Sequence, residues 1–470
     1  MARFLRKGVV LPEACTSKGR DNARCSRQVD LVAAIIDKGA VSHSRSVVTA
    51  LRNRLGVLPY LLHERSWRKL PKCDVLLAVH DNNRGASLGG RAYSPIMDSL
   101  AQRLQDAGLE CETLALPYSR LIGKKAFGSP VSINRLYFLY DLVRIPWNLL
   151  GLGNRWTEEK VYSWVLTRAG CAVVIMTNPD PSLCRAAHAN GVTVVNVFHG
   201  VGYAGPAQTL GVDEGLPRNE KPDLFLSLDH ITTQSLKKGM EVDQEMMEID
   251  HPWFSRFDGT LRTMAVEAEW ELPDDVLAEL GRFRKVVLLS LQWGYDGTVS
   301  LYTGIVSNGV MHESVLDAVG ATRGEVLWIV RLHPVQLRSP KYRKHRQFVH
   351  QLEAASSNVL STGVSMLPLP VLLAHCDGHI TMSSMCCYEA AWMRVPSLAL
   401  CPTLQRDGPF ADYFADLQSA GLLVKGTLVT DEIVAWSRCA EKKPEPLSRT
   451  RGQTDVAVGQ IVEMCEEYRR

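Results

Sequence analysis

At 470 residues the chain is too long for one comfortable hydrophobic core and long enough for two domains with a terminal extension. Hydrophobic residues make up 46% and charged residues 22%, the balance of a folded, soluble protein, which excludes global disorder. The net charge of +3 is small, yet residues 1–72 hold fifteen Lys/Arg against five Asp/Glu. A basic stretch of that size attracts a polyanion or an anionic membrane surface. No zinc finger, aromatic-basic RNA motif or recognition-helix pattern accompanies it, so nucleic acid is not an expected partner.

The twelve cysteines are scattered, without CxxC pairs, and read as buried thiols in a reducing compartment. The opening MARFLRKGVVLPEACTSKG has too short an apolar run for a signal peptide. No uninterrupted apolar span reaches the roughly 18 residues of a membrane helix. Residues 136–151, LYFLYDLVRIPWNLLG, come nearest, but Asp141, Arg144 and Pro146 divide them. They read as a core helix or as a surface resting against a membrane. The expected location is cytoplasmic, with the inner face of the cell membrane as a peripheral site.

A basic helical region, about 26–69, precedes the first clear strand, CDVLLAVHD at 73–81. DNNRGASLGG then reads as a Gly-rich loop able to accommodate a ligand, though it is neither GxGxxG nor a Walker motif. SPIMDSLAQRLQDAGL has helical spacing before a glycine stop. ECETLALP and a long helical region through Trp164 and Arg168 follow. In CAVVIMTNPDPSLCRAAHANGVTVVNVFHG, strand, helix and strand come in order, and PDLFLSLD and HITTQSLKKGM add a strand and a helix. After 258–283 a second alternation begins with KVVLLSLQW, a helix around 311–320 and EVLWIVRLHP. SNVLSTG and PLPVLLAHCDGHITMSSMCCYEAAWMRVPSLAL complete it. Apolar strands between helices imply mostly parallel sheets covered on both faces, with ligands beyond the carboxyl ends of the strands.

The expected fold is therefore α/β, with two Rossmann-like domains. Its divisions are a basic extension 1–72, an amino-terminal domain 73–257, a linker 258–283, a second domain 284–445 and a terminal helix 446–470 packing back across the assembly.

Two histidines end apolar runs in similar settings: His199 in VTVVNVFHG and His333 in EVLWIVRLHP. Gly200, Gly202 and Gly205 permit a tight loop after His199, which can exchange a proton near neutral pH. Asp213 and Glu214 either orient His199, take its place as base, bind a cationic group, or form a solvated turn. Pro334 fixes the turn after His333, and Arg331 supplies donors for phosphate oxygens. Arg338, Lys341, Arg343 and Lys344 read as a general electrostatic surface. Ser383 and Ser384 lie between a strand and a helix, where they bind a phosphate or simply cap the helix. Glu389, in that helix, suits a ribose hydroxyl. In SLQWGYDGTVS, Gly294 and Gly297 make room for a bound group, and Trp293 and Tyr295 can line its apolar side. Trp392 and Met393 read as packing residues. For both histidines the plain alternative is an ordinary strand-end residue.

Together these features resemble the inverting, two-domain GT-B-like glycosyltransferase architecture, particularly CDP-glycerol glycerophosphotransferases and related capsule-polysaccharide enzymes. The likeness rests on His199-Gly200, on His333-Pro334 and on Ser383, Ser384 and Glu389. DHPWFSRFDG at 250–259 is similar to the family's proline-aromatic and aspartate turn, with His251 where glycine is more usual. It spans about 170–405. VFHGVGYAG departs from the aromatic-HGTP-lysine form of teichoic-acid polymerases, and DEG at 213–215 is superficially similar to an acidic motif of sialyltransferase-like enzymes.

The resemblance implies surface or capsule polysaccharide synthesis from a cytidine-linked donor, CDP- or CMP-linked, onto a polysaccharide or glycolipid acceptor. His199 would act as base, His333 would stabilise the leaving group, and Gly294, Arg331, His333, Ser383, Ser384 and Glu389 would hold the donor. No tightly bound cofactor is implied, and no carboxylate cluster demands a metal, so a divalent ion stays open. The other readings are a nucleotide-sugar epimerase or hydrolase and a noncatalytic polyanion-binding protein.

Overall fold

The structure, a computed structural model, describes residues 61, 65–149, 157–198, 200, 216–237, 244–254, 272–444 and 453–470, with 143–149 by backbone alone. All of them belong to one compact unit, Val57–Arg470. The basic region 26–69 falls almost wholly outside these residues.

Two parallel sheets organise the unit. The first takes β1 (Val75–Val79), β4 (Cys111–Ala115), β5 (Val131–Ser132), β6 (Val173–Met176), β7 (Thr193–Val197), β8 (Leu224–Ser227) and β9 (Glu245–Glu248) in the order β5-β4-β1-β6-β7-β8-β9. The antiparallel hairpin β2 (Ala86–Leu88) and β3 (Arg91–Tyr93) stands apart from it. The second takes β10 (Lys285–Ser290), β11 (Val326–Arg331), β12 (Val359–Leu360), β13 (Gly378–Thr381), β14 (Ser397–Ala399) and β15 (Leu423–Lys425) in the order β12-β11-β10-β13-β14-β15. Every residue of β1, β6, β8 and β13 is buried, as strands covered by helices on both faces require. The fold is α/β, two Rossmann-like domains in a GT-B-like arrangement.

In each sheet the chain winds outward one way, returns to the middle and winds out the other way. The reversal falls between β1 and β6 in the first sheet and between β10 and β13 in the second. Loops leaving strands on either side of a reversal diverge and leave a crevice, the usual ligand position in an open parallel sheet.

One expectation is corrected. The Gly-rich stretch after β1 is not an open loop: Ala86–Leu88 and Arg91–Tyr93 pair across Gly89 and Gly90. Both glycines have positive φ, 59° and 66°, which the two-residue hairpin turn demands and which glycine adopts without strain. Arg84, just before the hairpin, is buried with Asp98 at 2.8 Å and also donates to the carbonyls of Ala92 and Phe127.

The described part of the stretch that comes nearest to a membrane span lies within helix Asn134–Leu149, which buries Leu136, Tyr137 and Tyr140 and exposes Leu139 and Leu142. Among the described residues no helix is long and apolar enough to cross a membrane. The segment leaving the first sheet packs on the second: the Phe254 ring lies 5.2 Å and the His251 ring 5.9 Å from Trp392. The final helix, Thr454–Arg469, returns to the first sheet. There Gln453 N donates to Glu248 O, Asp250 N donates to Thr454 Oγ1, and Arg469 pairs with Asp74 at 2.5 Å.

Candidate functional site

The donor-side residues gather at the carboxyl ends of β10, β11 and β13, beside the reversal of the second sheet. Arg331 closes β11, and the chain turns at once through His333 and Pro334 into helix Pro334–Arg338. His333 is the N-cap of this helix. Its Nδ1 accepts from Val335 N at 3.2 Å, its own N–H donates to Gln336 Oε1 at 2.9 Å, and proline occupies the first helical position. This is a capping box with histidine in the usual serine role. With Nδ1 accepting, the ring proton resides on Nε2. Burial and the neighbouring Arg331 push the imidazole down to about 4, so at neutral pH His333 is an uncharged donor.

Arg331 and Glu389 lie close enough for their charges to act on each other. Burial lowers the guanidinium and raises the carboxyl, and each group counteracts the shift of the other. Arg331 Nε is buried with no hydrogen-bond partner among the described residues. Glu389 sits half-buried on helix Cys386–Trp392.

Ser383 and Ser384 differ in what they have left to offer. Ser384 Oγ accepts from Cys386 N at 3.3 Å, the ordinary capping use. Ser383 is 8% exposed, its Oγ has no full hydrogen bond, and its N–H donates to Gln292 Oε1 at 2.6 Å. The Tyr295 and Tyr302 hydroxyls interact with this Oγ without closing a full hydrogen bond, and a ligand oxygen would complete its bonding.

Gly294 has a structural task. With φ of +104° it turns the loop after β10, and a β-carbon there would come within 3.0 Å of Val299 Cγ2. The turn leaves Trp293 exposed, with its ring centroid 6.5 Å from that of His333. Tyr295 points inward, stacks on Tyr302 at 4.6 Å and donates to Cys401 Sγ.

The first sheet reaches this site through its hairpin. Arg338 Nη2 donates to Ala86 O at 3.3 Å, and a β-carbon on Gly85 would lie 3.3 Å from Pro334 Cγ. The turn after β11 therefore abuts the loop after β1. Arg338 has a specific contact where only a diffuse basic surface was expected, and Lys341 pairs with Asp296 at 2.9 Å.

His199, Asp213 and Glu214 lie outside the described residues; of the first histidine's surroundings, β7 ends at Val197 and Phe198 is buried. Asp229 caps the helix after β8, accepting from Thr232 N and Oγ1. Among the described residues no three His, Cys, Asp or Glu side chains gather as a metal site.

Gln292 and Gln336 were not anticipated. Gln336 had a readable signal, because glutamine three residues after an N-cap, with proline between, is the sequence form of a capping box. Gln292 had none, since its partner Ser383 is 91 residues away.

No family model matches the chain, and no curated protein matches it. Among solved structures it is similar to Methanocaldococcus jannaschii UDP-GlcNAc 2-epimerase in complex with UDP-GlcNAc and UDP. The identity is 12%, with 83% of this chain and 99% of that one covered and a TM-score of 0.47. Staphylococcus aureus MnaA with UDP gives 12%, 84%, 96% and 0.46 in the same order. The wall teichoic acid polymerase TagF gives 12%, 92%, 91% and 0.48. At such values the similarity adds nothing to the fold already read from the strand order.

Proposed function

We propose that this protein is an enzyme acting on a nucleotide-linked sugar or polyol phosphate, bound at the strand ends of the second sheet and processed in the cleft facing the first. The supporting observation is the convergence of Arg331, neutral His333, Ser383 and Glu389 beside the sheet reversal. The first three offer N–H and O–H donors suited to phosphate oxygens, and Glu389 offers an acceptor suited to ribose. A cation paired with neutral donors suits a diphosphate leaving group, whose charge grows as the bond to the transferred group breaks.

The reaction we favour is transfer to a glycan hydroxyl in surface or capsule polysaccharide synthesis, with a cytidine-linked donor. His199 takes the hydroxyl proton as the oxygen attacks. With a nucleotide sugar the new bond forms at the anomeric carbon, which inverts, and the nucleotide departs with the electron pair of the broken C–O bond. With a CDP-linked polyol phosphate, attack is at phosphorus and CMP leaves. The basic amino-terminal region recruits an anionic acceptor or membrane surface.

The same donor site serves an epimerase or hydrolase, and the proteins this chain is similar to include both a UDP-GlcNAc 2-epimerase and a wall teichoic acid polymerase. Product analysis by chromatography that resolves epimers, coupled to mass spectrometry, separates these reactions. The purified protein is offered CDP-, CMP-, UDP- and GDP-linked donors, with and without a polysaccharide mixture. Transfer gives a product that appears only with acceptor, and an epimer or free sugar without acceptor selects the alternative. Failure to consume any donor removes the enzymatic reading.

A further inference from the structure

Three site segments leave three neighbouring strands, and an unbroken chain of hydrogen bonds through two glutamines joins them. His333 N–H donates to Gln336 Oε1 at 2.9 Å. Gln336 Nε2 donates to the backbone carbonyl of Gln292 at 3.2 Å. Ser383 N–H donates to Gln292 Oε1 at 2.6 Å. Thr381 anchors the far end, where its Oγ1 donates to Ser290 O at 3.0 Å. Gln336 is fully buried, and Arg346 Nη1 donates to its backbone carbonyl at 2.6 Å, so neither its side chain nor its backbone is free to drift.

A side-chain amide suits the middle step. It offers an acceptor and a donor on one rigid plane, so Gln336 can accept a hydrogen bond from the His333 backbone N–H and donate one to the Gln292 carbonyl. A carboxylate has no proton to give, and an alkyl side chain serves neither partner. The chain runs across the sheet from β11 through β10 to β13, bringing together groups 50 positions apart in sequence. Sheet-type pairing reaches as far as Leu291, whose N–H donates to Arg331 O, and Met382, whose carbonyl accepts from Cys401 N–H; Gln292, His333 and Ser383 lie beyond it. The two amides extend the bonding to them.

We propose that Gln292 and Gln336 are positioning residues that set the spacing between the His333 Nε2 donor and the Ser383 hydroxyl, so that both meet the phosphates of one nucleotide. This rests on the nucleotide reading above. Neither amide touches the ligand; each acts through the residue it holds. Because the chain fails wherever it is cut, cutting it twice does no further harm.

The test measures binding by calorimetry for CDP, UDP and GDP, and then for the parent nucleoside of whichever binds best. The wild type is compared with Gln336→Leu, Gln292→Leu and the double variant, each checked for folding by circular dichroism. Gln292 is only half-buried, so its variant keeps the test alive if Gln336→Leu fails to fold. The expected result is a loss of diphosphate affinity of about tenfold in each single variant, unchanged nucleoside affinity, and a double variant no weaker than the worse single one. Folded variants that bind diphosphate normally overturn the proposal. So do variants that lose diphosphate and nucleoside in equal proportion, or losses that add in the double variant. A wild type that binds none of the three diphosphates, and not CMP either, removes the nucleotide reading itself, and this proposal with it.

Discussion

His333 spends Nδ1 on the amide of Val335 and is held near 4 by burial and by Arg331, so its two tasks, capping and donating from Nε2, can be separated by substitution. Asparagine is a good N-cap and alanine is not. His333→Ala should therefore lower the unfolding free energy by about 1 kcal/mol, whereas His333→Asn should leave it within a few tenths. Both should weaken nucleotide binding, because neither carries the Nε2 proton outward. Urea denaturation beside calorimetry reads both effects, and a His333→Asn variant with full affinity would remove His333 from the donor site. The pH dependence follows from the same depression. Between the ordinary histidine value and about 4 the unfolded chain binds a proton that the folded one refuses, so this contribution to stability is complete above that window and lost as pH falls through it. Nucleotide affinity should then show no histidine inflection near pH 6.5 that vanishes in His333→Asn.

At the scale of elements, legibility followed burial. Central strands such as β1, β6 and β10 are buried on both faces and show up as unbroken apolar runs. β9 reads EMME with a mostly half-exposed pattern, and β5 has only two residues, so neither carries a strand signal. The hairpin hid inside a stretch read as a loop because its strands have three residues each, too few for alternation to show. In the site, His333 and the serine pair were visible because turn chemistry marks strand ends locally, whereas Gln292 acts through a partner 91 residues away. Gly89 and Gly90 give the hairpin its test. A β-branched residue forced into left-handed backbone costs roughly 1–2 kcal/mol. Gly90→Val should destabilise the fold by that order in urea denaturation. Because Arg338 reaches Ala86 O and Gly85 abuts Pro334, it should also weaken nucleotide binding. Equal stability to the wild type would mean that the glycines do not form the turn in solution.

At the scale of the molecule, the chain passes from the first sheet to the second and then sends its last helix back. That helix buries Ala457, Ile461 and Cys465 and ties Asp74, Glu248 and Asp250 to residues some two hundred or more positions later. Its contacts lie on the first sheet, while every donor group placed above lies on the second. Stability and donor binding should therefore respond differently to damage at the helix. Ile461 is fully buried, and replacing it with alanine removes three carbons from packed surroundings at a cost of about 2–4 kcal/mol. Ile461→Ala should lower the unfolding free energy by that amount while leaving the dissociation constant of the nucleotide unchanged at temperatures where the variant stays folded. One route of coupling runs against this independence. His251 and Phe254 leave the first sheet and pack on Trp392, which ends the helix carrying Glu389. If strain at Ile461 travelled that way, affinity would fall with stability, and Trp392→Phe would reproduce the loss without touching the last helix. Unchanged affinity in Ile461→Ala with lowered affinity in Trp392→Phe would place the mechanical link between the lobes at the His251–Phe254 crossing rather than at the returning helix.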